Sequence, residues 1–178
     1  MDIGVISVRY ARALLKSAIE QKVADDVYKD MQTLAESYIR VPQLRFTIDN
    51  PMLEKDKKKQ LLLTACGENR TELTNRFVAL VLNEDREKIL QFMANSYITL
   101  YRQQKNITRG KLTTAVAVSD AVEQKMKQMV EAKTQGTVEF TTEVDPSIIG
   151  GFVLEYDTYR MDASVKTKLN RILSEFKK

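Results

Sequence analysis

The sequence predicts a mainly α-helical chain of two domains: a helical domain over residues 1–105, then a small mixed α/β domain over residues 106–178. Three observations predict it. Apolar residues recur at helical spacing through the first hundred residues, and further on the period changes to two. A polar, basic stretch at 103–111 that keeps neither period separates the two regions. With 178 residues, one large domain or two small ones can bury enough apolar surface to fold without disulfides or a structural metal.

In the first helix Val5, Ile6, Val8, Tyr10, Ala11, Ala13, Leu14, Leu15, Ala18 and Ile19 cover well over half the circumference. This excess fits a central helix of a bundle or a docking groove for a partner helix, and both readings stand at this point. A second helix carries the stripe Val23, Val27, Met31, Leu34, Ala35 and Tyr38, and Pro42 closes it. A brief helical turn at 44–48 precedes the Asn50-Pro51 break, and a helix at 54–66 ends at Gly67. Asn69, with Glu72 three residues later, has the form of a capping box for the next helix. That helix holds Leu73, Phe77, Val78, Leu80, Val81 and Leu82, again apolar beyond one face. The stripe Ile89, Phe92, Met93, Tyr97, Leu100 and Tyr101 makes the last helix of the region long and amphipathic.

Beyond the 103–111 stretch, residues 112–118 are rich in Thr and Val and read as a strand. Ser119 offers an N-cap to a helix whose Val122, Met126, Met129 and Val130 face inward. Val138, Phe140, Thr142 and Val144 alternate with polar neighbours, as in a strand with one buried face. Asp145-Pro146 and Gly150-Gly151 mark turns, the second a tight turn needing positive φ. Residues 152–156 and 159–163 can pair as a hairpin across Asp157 and Thr158. Ser164 caps a final helix with the stripe Val165, Leu169, Ile172, Leu173 and Phe176, and Asp162 can help satisfy the amides at its start.

Several function classes fall away. The chain has no histidine, no Gly-rich phosphate loop of the Walker type, and no Ser or Cys elbow. Catalytic residues, cofactors and metal sites are therefore not expected, and Glu143, Glu155 and Asp157 fall in the solvent phase of strands or at a hairpin tip. The single cysteine, Cys66, reads as a buried structural thiol. The net charge of +4 is small against 28 basic and 24 acidic residues. Lys55, Lys57, Lys58 and Lys59, interrupted by Asp56, read as the solvated face of a helix start. A nucleic-acid-binding module using this cluster and the basic linker is the alternative function, although Tyr156 and Tyr159 beside Arg160 are too few for a stacking surface. No apolar run approaches the ~20 residues that span a bilayer. Arg9, Arg12 and Lys16 faintly suggest a targeting helix, but no small-residue cleavage site follows, so a mature start is expected.

Two C-terminal runs carry a resemblance. Residues 144–154, Val-Asp-Pro-Ser-Ile-Ile-Gly-Gly-Phe-Val-Leu, followed by Asp162-Ala163-Ser164-Val165-Lys166-Thr167-Lys168-Leu169, closely resemble the signature of the delta subunit family of F-type ATP synthases. That family includes the mitochondrial oligomycin-sensitivity conferring protein. Arg9-Tyr10-Ala11-Arg12-Ala13-Leu14 resembles its opening motif, and Asn50-Pro51 matches its break between short helices. The chain departs from the family pattern at 157–161 and at Ala163, where glycines are usual.

The resemblance implies an N-terminal six-helix bundle followed by a small α/β domain. It also implies a non-catalytic stator subunit that couples rotation to ATP synthesis. The bundle would bind the N-terminal helix of an alpha subunit, and the second domain would bind the C-terminal end of b-type stalk subunits, with no nucleic acid involved. The protein would sit peripherally on the cytoplasmic, or matrix-equivalent, face of an energy-transducing membrane, a bacterial inner membrane for preference, held there only through the complex. The surplus apolar faces then become a groove, with Tyr10, Ala13, Leu14, Phe77, Leu80 and Val81 as its candidate residues. Asp145, Pro146, Gly150, Gly151, Asp162 and Ser164 form the structural motif.

Overall fold

The structure, a computed structural model, describes residues 2–176 except Gln135 and Asp157. The chain forms two compact units, Met1–Gln103 and Gln104–Lys178.

The first unit is a bundle of six α-helices: α1 (Ile3–Glu20), α2 (Ala24–Arg40), α3 (Gln43–Asp49), α4 (Lys55–Ala65), α5 (Glu72–Asn83) and α6 (Leu90–Lys105). A single 3-10 turn, Glu87–Ile89, leads into α6. Each helix buries the stripe its period dictates. The buried set includes Ala11, Leu14, Leu15 and Ala18 of α1, Val27, Met31 and Leu34 of α2, Val78 and Val81 of α5, and Met93 and Tyr97 of α6. Asp2 starts α1 by accepting the Gly4 amide at 3.0 Å. In α6 the buried set is Leu90, Met93, Ala94, Tyr97, Ile98 and Tyr101, while Phe92, expected on the stripe, is 47% exposed. The small Ala94 and the branched Ile98 widen the inward face on the side away from Phe92.

The start of α5 corrects the expected capping box. Thr71, not Asn69, is the N-cap, accepting the Thr74 amide at 3.2 Å, and Glu72 is already the first helical residue. Thr71 is selected because the buried carboxylate of Asp30 on α2 accepts its amide at 2.9 Å, its hydroxyl at 3.0 Å and the Thr74 hydroxyl at 2.7 Å. These bonds tie α5 to α2, and no local pattern could reveal a partner 41 residues away. Thr71→Ala should therefore cost about 1 kcal/mol, as loss of a helix cap does, whereas Asn69→Ala should change stability by only a few tenths. Urea denaturation of the two variants measures this, and equal losses would restore the Asn69 cap.

The lysine cluster at the start of α4 is only partly a solvated face. Lys55, Lys57 and Lys59 are exposed, and Lys55 and Lys57 pair with Asp85 at 2.7 Å and Glu54 at 3.2 Å. Lys58 is instead buried, its ammonium 2.8 Å from the equally buried Glu87. Three residues before Leu61 and four before Leu62, it sits on the inner face of the helix. Cys66 at the end of α4 is buried, and its thiol is pushed up to about 12, first by burial and then by the nearby Asp30 carboxylate.

The second unit is a four-stranded sheet with helices α7 (Asp120–Thr134) and α8 (Val165–Phe176). Its strands, β1 (Ile107–Thr114), β2 (Thr137–Val144), β3 (Phe152–Tyr156) and β4 (Tyr159–Asp162), lie in the order β2-β1-β3-β4. The parallel pair β1/β2 is joined through α7, and β3 pairs antiparallel with both β1 and β4. β1 begins at Ile107 rather than at 112 and stops at Thr114, so most of the basic linker is an interior strand. Gly110 hid the strand, because it puts a blank where the period-two pattern needs a side chain. Gly110 is buried there, and a Cβ on it would lie 2.7 Å from the Phe140 ring.

Leu112, Val130, Val138 and Leu154 make the buried core of this unit, flanked by Val118, Met126, Met129, Phe140, Phe152 and Tyr156. Val122 and Val144, expected inward, are 41% and 49% exposed, since each lies at an end of its element beyond this cluster. In the hairpin Tyr156 pairs with Tyr159, and their rings stack at 5.5 Å. Asp157, expected at its tip, lies outside the described residues.

Candidate docking groove on the helical bundle

The surplus apolar faces of α1 and α5 meet on the outside of the bundle and enclose a cleft of ≈ 440 Å³. It is lined by Arg9, Tyr10, Ala13, Leu14, Ser17, Leu73, Arg76, Phe77, Leu80 and Glu84. Five of the six residues named from the sequence lie here: Tyr10, Ala13, Leu14, Phe77 and Leu80. The sixth, Val81, is wholly buried in the core and does not line the cleft. One position along a helix turns a side chain by about 100°, which separates Leu80, 49% exposed, from Val81.

Helical geometry shapes the cleft. On α5 and its C-terminal cap, Leu73, Arg76, Phe77, Leu80 and Glu84 fall at i, i+3, i+4, i+7 and i+11, one continuous stripe. Leu14 and Phe77 are buried and form the floor, while Ala13, exposed and small, leaves the opening on the α1 side. Tyr10 forms one wall. Its ring meets Phe77 edge to face at 6.5 Å, its hydroxyl accepts from Arg86 at 2.9 Å, and the Arg86 guanidinium lies 5.2 Å over the ring. Restraint from two sides holds the wall in place before anything binds. The polar rim of Arg9, Ser17, Arg76 and Glu84 was missed because only apolar positions were counted. Extending the stripe from Leu73 by helical steps would have found Arg76 and Glu84.

The motif residues of the second unit form another local arrangement. Asp145 accepts the Ser147 amide at 2.9 Å and hydroxyl at 3.0 Å, opening a 3-10 turn, Pro146–Ile148. Asp162 accepts the Ser164 amide and the Thr167 hydroxyl, both at 2.9 Å, and Ser164 caps α8 through the Thr167 amide at 3.2 Å. These bonds hold both carboxyls below the ordinary aspartate range, Asp145 first through the Ser147 amide and Asp162 first through the Ser164 side chain. The two halves of the motif meet. Gly150 accepts the Val165 amide and Phe152 accepts the Ala163 amide, each at 2.9 Å. Of the two glycines only Gly151 has positive φ, at 75°; the other left-handed residue of the turn is Ile149, at 70°.

Helix α8 buries none of its own side chains. Val165, Leu169, Ile172, Leu173 and Phe176 are 36%, 46%, 48%, 56% and 85% exposed, an apolar stripe that is covered in part at Val165, beside Gly150, and opens toward the C-terminal end of the helix. Lys111 of the basic stretch pairs with Glu143 at 2.5 Å, and Arg160 on the neighbouring hairpin pairs with Glu155 at 3.3 Å. Among the described residues no cluster of acids and cysteine could hold a metal ion, and no helix is long and apolar enough to cross a membrane.

Comparison with known proteins agrees with this architecture. The family model described as ATP synthase delta (OSCP) subunit matches residues 6–176. The chain is 49% identical over 177 residues to the ATP synthase subunit delta of Phocaeicola vulgatus, covering 99% of this chain and 96% of that protein. It is 45% identical over 172 residues to the corresponding protein of Parabacteroides distasonis, covering 97% and 96%. A chain in the cryo-EM structure of the Toxoplasma gondii mitochondrial ATP synthase hexamer shares the fold, with a TM-score of 0.67 at 21% identity over 97% of both chains. A bundle with an outward apolar groove, a glycine turn docked on a capped helix, and full-length likeness to these proteins converge: the chain belongs to the ATP synthase delta (OSCP) subunit family.

Proposed function

We propose that the protein is a non-catalytic stator subunit of a proton-translocating F-type ATP synthase, and that its α1–α5 groove grips the N-terminal helix of an alpha subunit. The observation that carries the reading is the groove itself, an apolar floor between two helices with a preset aromatic wall. An amphipathic helix laid in such a groove can bury about 800 Å² per partner and reach nanomolar affinity without chemistry in the adaptor. The mechanical need is simple: a rotating shaft exerts torque on the catalytic head, so the head must be held still from outside. Loss of the grip uncouples proton flow from ATP synthesis.

The largely exposed stripe of α8 is the natural seat for the C-terminal end of a b-type stalk subunit, since an exposed stripe of this length marks an interaction surface. Held at both ends, the subunit would lie on the cytoplasmic or matrix-equivalent face of the membrane and reach it only through the complex.

Calorimetric titration of the full chain with a peptide from the N-terminus of the cognate alpha subunit tests the grip, with Ala13→Trp filling the groove. The peptide should bind with sub-micromolar affinity, and the substitution should weaken it by roughly tenfold or more, about 1.4 kcal/mol, with the circular dichroism spectrum unchanged. No binding by the folded chain, or equal binding by the variant, would remove the groove from the proposal.

A further inference from the structure

On the opposite flank of the exposed side of α1 lies a second hollow of ≈ 750 Å³ lined by Asp2, Gly4, Val5, Val8, Arg9, Arg12, Ala13 and Lys16. Cleft and hollow share Arg9 and Ala13, which lie on the crest of α1 between them, and the cleft with this crest forms one track. Along it Arg9, Arg12 and Lys16 recur at i, i+3 and i+7, an exposed edge of three cations on neighbouring turns.

These cations differ from many others on the bundle. Lys29, Arg40, Lys55, Lys57 and Arg76 each reach a carboxylate of the chain itself. The side chains of Arg9, Arg12 and Lys16 make no ion pair or hydrogen bond with any described residue. The acids lining the track are Asp2, engaged with the Gly4 amide, and Glu84 at the cleft, against the three cations Arg9, Arg12 and Lys16, Arg76 being already paired with Glu72. The track thus presents an apolar seat with a positive border along one side.

We propose that the track selects its occupant by charge as well as shape: an amphipathic helix with acidic residues bordering its apolar stripe on the side that meets Arg9, Arg12 and Lys16. The inference rests on the groove reading above and adds the chemistry of the partner. A helix fits better than a lipid surface because the seat is a concave cleft between two helices, which a flat bilayer cannot enter. Exposed pairs are individually weak, but three along one edge multiply to about a tenfold preference. They also steer the encounter, so the preference fades as salt screens it.

The test uses the full chain and three labelled helical peptides of about 18 residues, roughly five turns. All three share one leucine stripe and differ only in its border, which is Glu, Gln or Lys. Fluorescence anisotropy should rank Glu about tenfold over Gln with Lys weakest, and the ranking should collapse between about 0.05 and about 0.5 M salt, where the screening length falls below 5 Å. The triple variant Arg9→Glu, Arg12→Glu, Lys16→Glu should reverse the order, and its substitutions are on exposed positions that leave the core intact. Equal binding of the three peptides at low salt would overturn the charge selection while leaving the groove standing. Binding of none of them would overturn the inference too, and the alpha-peptide titration judges the groove separately. Capture of anionic phosphatidylglycerol vesicles through the same three residues, with no peptide preference, would also overturn it.

Discussion

Replacing Lys58 by methionine should destabilise the bundle by about 3–5 kcal/mol, the cost of leaving a buried charge without its partner. Lys58 and Glu87 have side chains only 6% and 10% exposed, and the 2.8 Å pair joins α4 to the turn that leads into α6. Once the ammonium is gone, the Glu87 carboxylate has lost its countercharge, and its Oε2 already has no hydrogen-bond partner among the described residues. The double variant Lys58→Met, Glu87→Leu should recover most of the loss, because two apolar side chains of similar size fill the space without a desolvation cost. Urea denaturation of the three proteins measures the coupling directly. If the single and double variants were equally unstable, the pair would be contributing shape rather than charge compensation, and this account of the site would be wrong.

Gly151→Ala should cost about 3 kcal/mol in the second unit, from two sources. A side chain at φ 75° loses roughly 1–2 kcal/mol to backbone strain. The added Cβ would also lie 2.3 Å from the Ala163 carbonyl oxygen, so two backbone segments would have to separate at about 1–3 kcal/mol. Those segments are the two halves of the motif, joined by the Val165 amide to Gly150 and the Ala163 amide to Phe152. Gly150→Ala is the control: its φ is not positive, and its Cβ would meet only the movable Val165 methyl at 3.1 Å. Thermal denaturation followed through the methyl resonances of Leu112, Val138 and Leu154 should show a large fall in midpoint for Gly151→Ala and a small one for Gly150→Ala. Equal shifts would mean that the turn tolerates a side chain and that the close approach is not what selects glycine.

Much of the candidate site was legible because helical periodicity is a property of consecutive residues. The stripes on α1 and α5 carried more apolar character than one buried face requires, and the structure turns that surplus outward into the cleft. What the stripe could not decide was the boundary between floor and core, hence Val81 beneath the surface and Leu80 at it. The same limit misplaced Phe92, where Ala94 and Ile98 took the inward face, and Lys58, whose charge argued for solvent while its helical phase argued for the core. The α5 cap fell to Thr71 because Asp30, distant in the chain, rewards that residue with two hydrogen bonds.

The order of elements, the two units and the types of most turns follow from the sequence by itself. Period, glycine, proline and capping residues act over three or four positions and need no distant partner. Only the tertiary structure decided that residues 107–111 are an interior strand, that the Gly150-Gly151 turn rests on the Asp162–Ser164 cap, that α8 keeps most of its apolar stripe exposed, and that Arg9, Arg12 and Lys16 lie on the crest of α1 beside the cleft. Each of these depends on which residues far apart in the chain come within a few ångströms. Local pattern limits those approaches, but packing chooses among them.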